Sequence, residues 1–227
     1  PLPCFGERLA RLFDLSDTVA LDAANVASRD GYFGADGKAA ERLRAELEKL
    51  RQSQRDAIEA SVTAERIGTR NGLPAPEAGP SPAEPPDFEP YRRFYQSKQR
   101  QMAAVVPPLR LKARGALTDH GPALARLARI DAVLDNTLTG YARKGFGAVP
   151  GVLEKRFLAL WPDRQHSLLS DTPGDDPQDW MKEGAWLHRF CQEMKTLLLA
   201  ELDTRLEPVQ GLLMALESAH NDPQGPQ

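Results

Sequence analysis

The chain is nearly without cysteine. Cys4 and Cys191 are its only thiols, far apart among 227 residues. Two such residues make no disulfide framework, and a reducing compartment fits them best. Aromatic side chains are also few, at 7 %. No apolar run approaches the roughly 18–20 residues that cross a bilayer as a helix, so no such span is expected. No basic segment followed by an apolar one is visible near Pro1, so no signal peptide is read there. The chain opens without methionine, which leaves a trimmed leader open. Net charge is only −3, which removes any global field drawing the protein to nucleic acid or membrane. Strand-like alternation and a convergent catalytic set are missing as well.

What is present is helical periodicity. From Trp180 to Ala219, the residues Leu187, Cys191, Met194, Leu198, Leu202, Val209, Leu212 and Leu216 recur at spacings of three and four, with a gap at Arg205. That is one face of an α-helix, and Pro208 inside it predicts a kink or a split. Asp36–Ile67 reads as a long charged helix with a narrow apolar stripe, and two shorter pieces precede it between Gly6 and Ser28. Helix resumes at Phe88–Tyr91 and runs to about Leu117, bent at Pro107–Pro108. Pro122 suits the first turn of the next helix, with Asp119 as a candidate cap. Leu124, Leu127, Ile130, Leu134 and Leu138 mark its apolar face. Gly145-Phe146-Gly147 is expected to end it, and Pro150 to start another short helix through Leu153 and Phe157 to Trp161. The fold class is therefore all-α, an antiparallel bundle of long helices.

Two stretches interrupt this pattern. Thr69–Pro90 holds seven prolines and few apolar side chains, and it reads as a flexible or polyproline-like linker. Residues 162–178 are polar enough for a mobile, disordered loop. The expected organisation is N-terminal helices over 1–68, the linker over 69–90, the bundle over 91–219 and a disordered tail over 220–227.

Candidate chemistry is sparse. His188 and Cys191 lie three apart on one helix, but zinc wants three or four ligands and no second pair exists, so a partly buried histidine beside a core cysteine is expected. Lys144-Gly145-Phe146-Gly147 has the wrong order for a phosphate loop, and no strand precedes it. Asp175-Asp176 lacks the ligand series of a calcium loop. No metal, cofactor, catalytic residue or small-molecule substrate is expected, and the reading is that the chain is not an enzyme.

One charge feature stands out. Between Pro90 and Leu117 lie Arg92, Arg93, Lys98, Arg100, Arg110, Lys112 and Arg114, with no acidic residue among them. Tyr91, Phe94 and Tyr95 are interleaved at the start. Basic side chains neutralise phosphates and aromatic faces stack on bases, so this helix is a candidate DNA-binding surface. The opposing reading is that it complements acidic neighbours, since from Asp131 onward there are fifteen acids against nine bases. The narrow stripe at Leu43, Leu47 and Leu50 is a candidate partner-binding face, within the molecule, in a homo-oligomer or with another protein's helix.

Three helical stretches are familiar together: Gly6–Leu21 (GERLARLFDLSDTVAL), Pro122–Leu134 (PALARLARIDAVL) and Leu197–Leu212 (LLLAELDTRLEPVQGL). With them the chain resembles a bacterial family of helical proteins that accompany proton-channel and OmpA-like genes. Within that setting it looks like an accessory subunit of a type III Zorya antiphage defence system. The resemblance implies a cytoplasmic, non-enzymatic adaptor, recruited to the inner membrane through a companion accessory protein and a MotA-like and MotB-like motor. It supplies no catalytic residues.

Overall fold

The computed structural model describes residues 13–26, 38–80, 84–161 and 176–221. The expected helical piece through Phe5, Leu9 and Leu12, the Gly31–Gly37 break, most of the 162–178 loop and the end of the tail lie outside them, as do Cys4 and His166. The described residues form five long helices and no strand: α1 (Leu15–Val26), α2 (Ala39–Ser61), α3 (Glu89–Thr118), α4 (Pro122–Leu160) and α5 (Trp186–Asn221). Two 3₁₀ turns lie at Ala64–Arg66 and Pro177–Met181. The protein is all-α. No described helix is long and apolar enough to cross a membrane.

The helices contribute to two compact units. One takes in Pro1–Leu50, Val105–Phe146 and Leu206–Gln227; the other takes in Arg51–Ala104 and Gly147–Arg205. The units are thus interleaved along the chain. The Pro-rich stretch lies wholly within the second and does not divide them.

In the first unit Leu43 and Leu47 of α2, Leu109 and Leu117 of α3, Leu124 and Ala128 of α4, and Val209 and Leu216 of α5 are buried together as core. Arg110 meets Asp135 while Arg114 meets Asp131, so residue numbers rise on α3 as they fall on α4 and the two helices run antiparallel. The same holds for α1 on α4, where Asp17 meets Thr137 and the Ala24 carbonyl meets Arg129.

In the second unit the scarce aromatics are concentrated. Phe88, Tyr91, Phe157 and Phe190 pack with ring centroids 5.1–6.2 Å apart. Trp161, Trp180 and Trp186 form an adjoining triad at 5.5–5.9 Å, mostly edge to face, as the ring quadrupole favours. The three tryptophans come from the turn residue just after α4, a 3₁₀ turn and the start of α5, so one cluster fixes three separate segments.

The apolar face of α5 is buried along its length: Leu187, Phe190, Cys191, Met194, Leu198, Leu202, Leu206, Val209, Leu213 and Leu216. The apparent gap at Arg205 is a change of register. Leu198, Leu202 and Leu206 follow at four-residue steps, which moves the stripe one position and leaves Arg205 free to turn toward Glu201. Each buried Leu or Phe contributes about 1.5–3 kcal/mol, and this outweighs the weak helix propensity at Pro208.

The split allowed for at Pro208 and the helix end expected at Gly145-Phe146-Gly147 are absent, and the stretch expected to bend at Pro107–Pro108 stays one helix. Helix α3 is continuous across Pro107–Pro108, α5 across Pro208, and α4 across Gly145-Phe146-Gly147 and Pro150. Each glycine costs about 1 kcal/mol and an internal proline about 3 kcal/mol relative to alanine. The α4 helix nevertheless persists because both flanks are anchored, at Leu124–Ala128 and at Leu153–Phe157–Leu160. Once both sides are helical, each intervening residue other than Pro150, which has no amide donor, adds a hydrogen bond without a new nucleation cost. At its start Gly121, with φ +121°, precedes Pro122 and its carbonyl accepts from the Ala125 amide, so Gly121 takes the capping place offered to Asp119.

The Pro-rich stretch is pinned. Leu73 is fully buried, its amide donates to the Ser61 carbonyl, and its own carbonyl accepts from Gly68. Gly72 packs so closely that an added Cβ would stand 1.8 Å from the Arg66 carbonyl oxygen. Pro86 and Phe88 are buried at the far end.

Candidate functional site

The C-terminal part of the basic helix is an ion-pairing surface turned onto α4. Arg110 grips Asp131 with two hydrogen bonds, at 2.5 and 2.9 Å, and reaches Asp135 at 2.6 Å. Arg114 lies one turn on and bonds the same two carboxylates at 2.7 Å each. Both arginines project from α3, and both aspartates, one turn apart, project from α4. Two i,i+4 pairs of opposite sign therefore interlock, with side chains only 12–17 % exposed at Arg110, Arg114 and Asp131. Burial by itself would raise the Asp131 carboxyl. Hydrogen bonds and charge from Arg110 and Arg114 outweigh it and hold that group below the usual carboxylate range.

The other basic residues of the stretch are placed more variously. Arg92 bonds Glu154 at 2.7 Å and Glu89 at 3.0 Å, and its guanidinium lies 5.3 Å from the Phe88 ring centre. Arg93 pairs with Glu89 from an exposed position. Lys112 pairs with Glu46 of α2 at 2.7 Å. Lys98 is buried, its ammonium over the Phe94 ring and 3.4 Å from the Ala57 carbonyl. Desolvation, then the charge of Arg66, pushes its pKa down. Arg100 is exposed, with no acidic partner among the described residues. Reversing Arg92, Arg110 or Arg114 to glutamate would consequently disturb the fold before it tested nucleic-acid binding.

The leucine stripe proposed for partners is likewise covered by the chain itself. Leu43 and Leu47 are core residues, each 5 % exposed, and Leu50 is half-buried. A stripe only two or three residues wide is what a surface helix needs to sit on its own bundle.

A second polar cluster, invisible in the sequence, occupies the second unit. Glu201 is buried on the apolar face of α5. It accepts from Tyr95 at 3.0 Å, from Gln99 at 2.9 Å, and from Arg205 at 2.6 and 2.9 Å. Burial, then the neighbouring Glu201 charge, drives the Tyr95 hydroxyl pKa well up. Four charge-assisted bonds compensate the desolvation of one carboxylate, so the cluster fixes the register of α3 on α5. A third ion pair, Arg156 on Glu193 at 2.6 and 2.7 Å, joins α4 to α5 at a half-exposed site.

The remaining candidates stand apart. Cys191 is free and buried, and burial pushes its thiol up to about 12, where no thiolate forms near neutrality. His188 is half-buried beside Gln192. No three potential metal ligands converge among the described residues. Asp176 caps the 3₁₀ turn by accepting from the Gln178 amide. Between α2 and the α3–α4 turn lies a shallow cavity of about 250 Å³, where Arg42 and Lys112 are offset by Glu46 and Asp119, with His120 at the rim.

Residues 1–218 match the family described as a protein of unknown function, DUF3348, and the chain belongs to that family. No curated protein and no solved structure matches it.

Proposed function

We propose that this protein is a non-enzymatic accessory or adaptor subunit of a bacterial antiphage defence complex. In this reading it works in the cytoplasm, binds a companion accessory protein, and is recruited to a proton-driven inner-membrane motor of MotA-like and MotB-like subunits. The resemblance carried by Gly6–Leu21, Pro122–Leu134 and Leu197–Leu212 supplies the setting. The structural observation that supports the role is how the ionisable groups are used. Asp131, Glu201, Arg110, Arg114 and Lys98 are turned inward and matched within the fold. Such matching holds the helices together within each unit, and what they offer outward is helix surface. That surface includes the exposed apolar side chains Leu111, Val152 and Met214, of the kind that protein interfaces cover.

The test is co-purification under native conditions. The full chain, carrying an affinity tag, is expected to retain the companion accessory protein and the cytoplasmic part of the motor when all are co-expressed. Absence of both partners from the eluate, with the tagged chain folded, would sink the proposal.

A further inference from the structure

The middle of α4 combines exposed cations with an exposed aromatic ring. Between Asp135 and Glu154 there is no acidic residue, while Arg143 and Lys144 stand side by side. Both are exposed, and neither has an acidic partner among the described residues. Tyr141 is 46 % exposed, an unusual position for an aromatic side chain in a chain that buries most of its rings. Lys144 and Gly145 follow Tyr141 at three and four residues, so ring, ammonium and bare backbone share one helix face. An added Cβ at Gly140 or at Gly145 would meet nothing within 4 Å, so the surface beside the ring is open.

This stretch also lacks what normally holds a helix. From Thr139 to Gly145 every residue is exposed. A stretch exposed all round, glycine-bearing and without ion pairs is held only by its backbone hydrogen bonds and its anchored flanks. Arg110 and Arg114 of α3 are turned inward onto carboxylates; Arg143 and Lys144 of α4 are exposed, with an exposed ring in the same turn.

We infer that Tyr141 and Lys144 form a contact site for single-stranded nucleic acid, with Arg143 adding positive charge on the adjoining side of the helix. Tyr141 would stack on a base, and the two cations would meet flanking phosphates. An acidic protein segment would use the cations but leave the ring and the open glycine face without a role, which is why the nucleic acid is favoured. The site is independent of the partner reading above and lies outside the 90–117 helix.

Fluorescence anisotropy with a labelled 15-nucleotide oligo-dT tests it, with a poly-glutamate peptide of equal length as comparison. The full chain is expected to bind oligo-dT in low salt and to bind poly-glutamate more weakly. With two phosphates neutralised, the logarithm of the binding constant should fall with that of salt with a slope of about −1.4. Tyr141→Ala should weaken binding at least about five-fold, as loss of one stacked base does. Arg143→Glu with Lys144→Glu should abolish it. Arg100→Glu, an exposed cation elsewhere, should leave it unchanged. All positions are exposed, so circular dichroism of each variant should match the parent. No oligo-dT binding, equal binding of poly-glutamate, or an unchanged affinity in Tyr141→Ala would overturn the assignment.

Discussion

Replacing Asp131 with asparagine isolates the charge that ties α3 to α4. The side chain keeps its size and one carbonyl oxygen, but three charge-assisted bonds lose their anion: two from Arg110 and one from Arg114. Removing one partner of a buried ion pair costs about 3–5 kcal/mol. Here the figure is smaller, because the side chains are 12–17 % exposed and Asp135 still serves both arginines. The expected loss is about 2.5 kcal/mol at neutral pH. With a urea slope near 3 kcal/mol/M, the unfolding midpoint should fall by about 0.8 M. The pH dependence fixes the cause. The folded-state Asp131 pKa is held below its ordinary 3.8. Its contribution is therefore fully present above that value and disappears as pH falls through the lower, folded-state value. The gap between parent and variant should hold from neutrality to near pH 5 and close in stronger acid. A double-mutant cycle with Arg110→Met should return a coupling above about 1 kcal/mol. A loss under about 0.5 kcal/mol at neutral pH, or a gap that widens in acid, would refute the argument.

Three further outcomes follow from other parts of the fold. Glu201→Ala leaves Arg205, Tyr95 and Gln99 without their shared acceptor, so thermal melting should drop by about 10 °C, from about 3–5 kcal/mol at roughly 2–4 °C per kcal/mol. Two glycine-to-alanine changes should move stability in opposite directions in urea. Gly145→Ala, in open space, should gain about 0.5–1 kcal/mol, whereas Gly72→Ala, facing the Arg66 carbonyl, should lose more than that. In a Cys4→Ser background the Cys191 thiol should resist a thiol reagent at pH 8 in the native protein and react at once in denaturant; ready reaction in the native state would contradict its burial.

The helical periods were legible because an apolar stripe has to recur at helix spacing wherever it faces a core. The ion cluster was legible in part. Arg110 and Arg114 stand one turn apart before a short turn, and Asp131 and Asp135 stand one turn apart after it, which is the arrangement an antiparallel pair would interlock. The basic count alone pointed outward to a phosphate surface, since counting charge does not show which way it faces. Glu201 carried no signal, because nothing marks a lone acid in a leucine stripe as buried until Tyr95 and Gln99 are brought to it from over 100 residues away.

The sequence by itself determined the class of structure: all-α, built on amphipathic helices, none of those described long and apolar enough to cross a membrane, because composition and period act locally. It also located every glycine and proline, and rightly marked them as weak points of helix. Only the tertiary structure decided whether those weak points break. Helix α4 runs through Gly145, Gly147 and Pro150 because packing on either side holds it, whereas the Pro-rich stretch is fastened by Leu73 and Phe88 rather than left free. Whether a charge is internal or external was decided there too, since the energy of an ion pair depends on a partner distant in sequence and on the water excluded between them.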